Sequence, residues 1–154
     1  MAKFEIRPTL LDDEDAIELI EKLNVELLER YPEPGATHFR LDPDEVAPGR
    51  GVFLMAQLDG DPVGCAALRK LEGSDGEVKR MYVDGCVRGR GYARALLRAL
   101  EAEARTLEVS RLVLETGVRQ PEAIGLYESA GFVRIEPFGE YVDSPLSVRM
   151  AKAL

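Results

Sequence analysis

The sequence predicts an α+β fold in which a mixed β-sheet carries helices on its faces, in the order β-α-β-β-β-α-β-α-β-β. Two observations carry this expectation. Segments with apolar residues at helical spacing interleave along the chain with segments that read as strands. Gly, Pro and Asp-Gly turns divide these segments at short intervals, as a compact sheet with short connections requires. The chain of 154 residues and 17.0 kDa is the right size for one domain over residues 1–154, and leaves little room for a second.

Each element has a local reason. Residues 4–7 alternate as a short strand. A first helix follows, with Ile17, Ile20, Leu23, Leu27 and Leu28 at helical spacing. Asp12, Asp13, Glu14 and Asp15 stand where carboxylates meet the unpaired N–H groups of a helix start. Residues 31–51 are rich in Pro and Gly and read as a loop with a short helix near residues 42–46. Strands over residues 52–57 and 62–70 flank Asp59-Gly60, a strong hairpin turn. A turn over residues 73–76 leads into a strand over residues 77–83. After a further turn, a second helix gathers Leu96, Leu97, Leu100, Ala104 and Leu107 on one stripe, with Glu101, Glu103 and Arg105 largely off it. Residues 111–116 read as a buried strand. Pro121 suits the first position of a third helix, and Gly131 suits a left-handed cap with Phe132 as its hydrophobic contact. Residues 133–135 and 146–150 are the final strands.

Composition narrows the function. With 20 basic and 28 acidic residues the net charge is −8, which argues against general nucleic-acid binding. Two cysteines, Cys65 and Cys86, are too few for a disulfide scaffold, and the single histidine, His38, removes most histidine-based metal sites. The N-terminal MAKFEIRP lacks a long apolar run, and no stretch approaches roughly 18 apolar residues, so a soluble cytoplasmic protein without membrane contact is expected. The charge is uneven. Residues 1–50 hold 13 acidic and 6 basic residues, whereas residues 79–98 hold six basic residues against Asp84 alone. Such a basic segment in an acidic chain suits a specific anionic ligand, or simply a solvated helix face.

The glycines within that segment favour a ligand. Val83-Asp84-Gly85-Cys86-Val87-Arg88-Gly89-Arg90-Gly91-Tyr92-Ala93 joins a strand to a helix. Glycines there let the backbone approach a ligand, and the helix start offers N–H groups to phosphate. A P-loop is excluded because Arg90 stands where its second glycine belongs, with no following Lys-Ser or Lys-Thr. A dinucleotide fingerprint is excluded because Arg94 stands where its third glycine belongs.

Taken together, these segments resemble the GNAT superfamily of N-acetyltransferases. Arg88-Gly89-Arg90-Gly91-Tyr92-Ala93 matches the Arg/Gln-x-x-Gly-x-Gly/Ala loop that holds the acyl-CoA pyrophosphate in that family. Val78-Lys79-Arg80-Met81-Tyr82-Val83 resembles its fourth strand. The segment from Gln120-Pro121 through Leu126-Tyr127 to Gly131-Phe132 resembles its Asn-x-x-Ala-x-x-Leu-Tyr-x-x-x-Gly-Phe pattern, with Gln120 replacing the common Asn and Gly85 replacing a frequent loop proline. Thr116-Gly117, Phe138-Gly139-Glu140-Tyr141 and Pro145-Leu146-Ser147 are similar to a bacterial subgroup of the family.

The resemblance implies a GNAT acyl-CoA N-acyltransferase fold with splayed central strands, acetyl-CoA as donor, no metal, and a small amine or peptide as acceptor. It also allows a homodimer. Met81, Tyr82 and Val83 would pair with the pantetheine arm, one N–H there facing the thioester carbonyl. Arg88, Gly89, Arg90, Gly91, Tyr92 and Ala93 would cradle the pyrophosphate. Arg88 and Arg94 are the candidates for direct charge contacts, and Gln120 would lie near the pantetheine. Tyr127 would protonate the departing thiolate, against the simpler reading of a packed aromatic. Glu77 would act as a base through water, against the simpler reading of an exposed strand-end carboxylate. His38 and Tyr141 border the expected acceptor pocket, as surface or packing residues first. The acidic first third favours a cationic acceptor. The alternative function is a non-catalytic acyl-CoA-binding or sensor module on the same fold.

Overall fold

A computed structural model describes residues 2–33, 41–136 and 146–154. His38, Tyr141 and the motif residues Phe138, Gly139, Glu140 and Pro145 lie outside the described residues. Strands β1 (Phe4–Pro8), β2 (Gly51–Leu58), β3 (Asp61–Lys70), β4 (Asp75–Val83), β5 (Arg111–Gly117), β6 (Val133–Ile135) and β7 (Ser147–Ala153) form one sheet in the order β1-β2-β3-β4-β5-β7-β6. Helices α1 (Glu14–Arg30), α2 (Tyr92–Thr106) and α3 (Pro121–Ser129) complete the expected element order. Every strand pair is antiparallel except β4 with β5.

Local chemistry sets the turns as expected. Asp59 and Gly60 both take positive φ, 52° and 86°, the conformation that a tight β2–β3 hairpin requires. Asp13 caps α1 by accepting from the backbone N–H of Asp15 and Ala16. At the end of α3 the N–H of Gly131 donates to the Glu128 carbonyl and the N–H of Phe132 to the Tyr127 carbonyl, the paired bonds of a Schellman cap. The rings of Tyr127 and Phe132 meet edge to face at 5.5 Å and supply its hydrophobic contact. Residues 43–46 form a single 3-10 turn.

The two faces of the sheet bury different clusters. Leu54, Leu68, Leu112 and Leu114 pack against Leu96, Leu97 and Leu100 of α2. Each such side chain contributes roughly 1.5–3 kcal/mol by burial. On the opposite face Phe53, Met55, Cys65, Ala67 and Tyr82 pack against Ala16, Leu19 and Leu23 of α1. The α1 stripe therefore corrects the expected one: Ile17 and Leu28 are 43% and 53% exposed, and Ala16 and Leu19 are buried in their place. Helix phase explains this, because Ile17 points about 100° away from Ala16 around the axis. Glu101 also departs from expectation. It sits on the buried side of α2 because Lys152 of β7 reaches it with a 2.5 Å ion pair.

Candidate active site

The parallel pairing of β4 with β5 covers only residues 75–78 and 111–114. Beyond Val78 the strands part, and one feature of β4 drives the parting. Cys65 faces Tyr82 and Ala67 faces Lys79, so two steps along β3 oppose three along β4. The extra β4 residue forms a bulge at Arg80, whose φ is +57°. Cys65 stabilises the bulge by donating its thiol to the Arg80 carbonyl at 3.3 Å. Burial pushes that thiol up to about 12. Cys65 thus supports the site as well as filling the core.

The parting opens a cleft of about 600 Å³. The residues expected on the strand, Met81, Tyr82 and Val83, line it together with Glu77 at its apex, while Tyr127 and Gln120 approach from the α3 side. Gly89, Gly91, Tyr92, Ala93, Arg88 and Arg94 line its other end. The glycines there have φ of 81° and 85°, and Gly91 serves as the N-cap of α2 without any side-chain cap. The first N–H groups of α2 have no intrahelical partner, so they present positive partial charge to the cleft. The geometry suits an anionic ligand held by main chain.

The arginines divide. Arg94 borders the cleft and donates to the Ser129 hydroxyl at 2.7 Å. Arg88 turns its guanidinium to the protein, donating to the Val83 carbonyl at 2.7 Å and to Glu26 at 2.6 Å while lying over the Tyr82 ring. Its contribution to a ligand would therefore come from the backbone in this arrangement. Arg90 is exposed and is not among the described residues lining the cleft.

Three side chains bring proton chemistry to the cleft. Tyr127 is 5% exposed, and burial first, with the Glu115 charge second, pushes its hydroxyl well above the usual tyrosine range. It stays protonated at neutral pH and can donate. Glu77 is 2% exposed rather than an exposed strand end, because Arg69 on β3 bonds it at 2.7 Å and also pairs with Glu45. Glu115 on β5 accepts from the Ser147 hydroxyl at 2.6 Å and lines the cleft. Sequence reasoning missed Glu115; its signal was a lone carboxylate near the end of an otherwise apolar strand, Leu112-Val113-Leu114-Glu115.

The rim opposite the loop is tied down by Tyr31. Its hydroxyl accepts from the Arg119 backbone N–H at 2.9 Å, and its ring lies under the Arg119 guanidinium. The hydroxyl sits over Gly117, where an added Cβ would fall 1.7 Å from it. Only glycine at this position lets α1 close against the end of β5.

Among the described residues, no group of three or more His, Cys, Asp or Glu side chains could hold a metal ion, and no helix is long and apolar enough to cross a membrane.

The bulged strand, the splay and the glycine loop define an acyl-CoA N-acyltransferase fold, and comparison with known proteins agrees. Residues 14–132 match the acetyltransferase (GNAT) family, to which this chain belongs as an acyltransferase. The chain is 43% identical over 139 residues to an IAA acetyltransferase of Azospirillum brasilense, covering 90% of each. It superposes with a TM-score of 0.86 and 34% identity on a Klebsiella pneumoniae protein assigned as an acyl-CoA N-acyltransferase, covering 98% of this chain and 97% of that one. A GNAT family acetyltransferase from Elizabethkingia anophelis with acetyl-CoA bound shares the fold at a TM-score of 0.69 and 18% identity, covering 98% of each chain.

Proposed function

We propose that this chain is a single-domain cytoplasmic N-acetyltransferase that moves an acetyl group from acetyl-CoA to a primary amine by direct transfer within a ternary complex. The observation that carries this reading is the opening of β4 from β5 at Val78, with Tyr127 and the glycine loop on the same cleft. A pantetheine arm fits such an opening as an added strand against Met81, Tyr82 and Val83. The pyrophosphate would meet the backbone N–H groups from Gly89 to the start of α2, with Arg94 beside it and Gln120 near the pantetheine.

Three requirements govern the chemistry. An alkyl amine has a pKa of about 10, so at neutral pH it arrives as an ammonium and must lose a proton. Glu115, which lines the cleft, would take it, and Glu77, bonded by Arg69, would assist through water. The neutral amine then attacks the thioester carbonyl, forming the C–N bond while a β4 backbone N–H stabilises the oxyanion. As the intermediate collapses the C–S bond breaks, and the sulfur leaves as a thiolate toward the neutral Tyr127 hydroxyl. The products are an amide, coenzyme A as its thiol and one released proton. No acyl-enzyme is required, so exposed Cys86 needs no catalytic part.

A cationic acceptor draws less support than charge counting predicts. Several carboxylates of the acidic first third engage the protein's own arginines: Glu26 with Arg88, Glu33 with Arg119 and Glu45 with Arg69. The rival reading, a non-catalytic acyl-CoA sensor, gives no use to a buried, protonated Tyr127 beside Glu115. The test is release of coenzyme A thiol from acetyl-CoA across amines, amino acids, polyamines and peptides, with Tyr127→Phe in parallel. We expect acceptor-dependent release that falls by about 100-fold in the variant, with acetyl-CoA affinity retained. Binding of acetyl-CoA with no release to any acceptor would favour the sensor.

A further inference from the structure

Among the described residues, the charged side chains that line the cleft all have partners within the protein, so a charged ligand meets groups already engaged. One engagement stands where the donor has to bind. The N–H of Asp84 donates to the Val63 carbonyl at 2.8 Å. A trans peptide sets the preceding carbonyl opposite to that N–H, so the Val83 oxygen points away from β3, to the side on which β4 has parted from β5. That oxygen belongs to the open edge that a pantetheine arm would join. Arg88 Nε already donates to it at 2.7 Å, and the same guanidinium lies over the Tyr82 ring and reaches Glu26 of α1 through Nη2 at 2.6 Å. Arg88 therefore covers the edge carbonyl with an N–H, as an amide of the donor would.

The loop has other supports. The Asp84 side chain accepts from the Cys86 N–H at 2.9 Å, and the Val87 N–H donates to the Asp84 carbonyl at 3.0 Å. The Arg88 and Glu26 side chains are 36% and 26% exposed, so water can take over from either when the pair opens. Resting on the acetyl-transfer reading of this cleft, we propose that Arg88 is an internal plug of the donor site, latched by Glu26, and that acyl-CoA binds by exchange. A pantetheine amide N–H takes the Val83 carbonyl from Arg88. The guanidinium passes from Glu26 to the diphosphate, which meets the glycine loop beginning at the next residue. The diphosphate carries more negative charge than one carboxylate, so the exchange favours the donor. Glu26 nonetheless opposes donor binding, because it stabilises the plugged state alone. A latch and a brace give opposite signs. A Glu26 that merely braced the loop would help the donor to bind.

Coenzyme A is titrated calorimetrically into the wild type, Glu26→Gln, Arg88→Met and the double variant, with thermal melts confirming that each is folded. Methionine keeps apolar packing on Tyr82 and removes the donors. Glu26→Gln should bind coenzyme A about two- to fivefold more tightly than the wild type, the worth of a partly exposed ion pair. Arg88→Met should bind it about tenfold more weakly, through loss of the diphosphate's partner. In the Arg88→Met background, Glu26→Gln should have no further effect, since there is nothing left to latch. Weaker or unchanged binding by Glu26→Gln would overturn the proposal. An equal gain with and without Arg88 would make Glu26 a distant repelling charge and overturn it too. Tighter binding by Arg88→Met would overturn the passage of the guanidinium to the diphosphate. These three results would leave the transfer reading standing, whereas a wild type that fails to bind coenzyme A would overturn both.

Discussion

Replacing Arg69 with Met tests whether the apex of the cleft is held by charge. Glu77 is 2% exposed, and the Arg69 guanidinium reaches it with contacts of 2.7 Å from Nε and Nη2. Methionine keeps most of the apolar volume of the side chain and removes both donors. A buried carboxylate deprived of its cation costs about 3–5 kcal/mol. Because the Arg69 side chain is 31% exposed, water can reach part of the gap, and the lower end applies, about 3 kcal/mol. With a urea m-value of about 2 kcal/mol/M for a chain of this size, the midpoint should fall by about 1.5 M. Glu77→Gln alone should cost about 1–2 kcal/mol, since a neutral amide still accepts from the guanidinium. In the double variant the buried charge is gone, so the two losses should fail to add by about 2 kcal/mol. Urea denaturation followed by circular dichroism measures all four proteins. An Arg69→Met cost below about 1 kcal/mol, or additive losses, would refute the claim that the Arg69 contact is what compensates the burial of Glu77.

Three further outcomes are expected. Gly91→Ala meets no neighbour within 4 Å but must hold φ near 85°, so it should cost about 1–2 kcal/mol and raise the acetyl-CoA KM more than it lowers kcat; steady-state kinetics and a melt together check this. Gly117→Ala drives a Cβ into the Tyr31 ring, and the bulkier site should cost about 1–3 kcal/mol and abolish the bond from the Arg119 N–H, read as faster amide exchange there. The third concerns pH. The Cys65 thiol is raised from 9.0 to about 12 in the folded protein, so the unfolded chain loses this proton first as pH rises. Its contribution is complete below pH 9 and is lost through about pH 12, a fall of about 1.4 kcal/mol per pH unit. Denaturation midpoints at pH 10 and pH 11 should show nearly that full fall in the wild type, and pH 9 to pH 10 about 1 kcal/mol of it. Cys65→Ser keeps a donor for the Arg80 carbonyl and should flatten it; an unchanged slope would show that Cys65 is not its source.

The features legible in the sequence were those whose causes lie within a few residues. Asp59-Gly60 makes its turn because adjacent positive φ angles suit only such pairs, and Pro121 with Gly131-Phe132 bounds α3 by the rules of helix ends. The glycine loop and Tyr127 were readable for the same reason, as short motifs on predictable elements. The tertiary structure decided what depends on partners far along the chain. Arg80 becomes a bulge residue only because β3 and β4 pair in one particular register and Cys65 bonds its carbonyl. Glu77 is buried because Arg69 lies across the hairpin, Glu101 because Lys152 arrives from the last strand, and Gly117 is required because Tyr31 closes over it from α1. Hydropathy and spacing report what one segment prefers, whereas the burial of a charge is settled by the group that meets it.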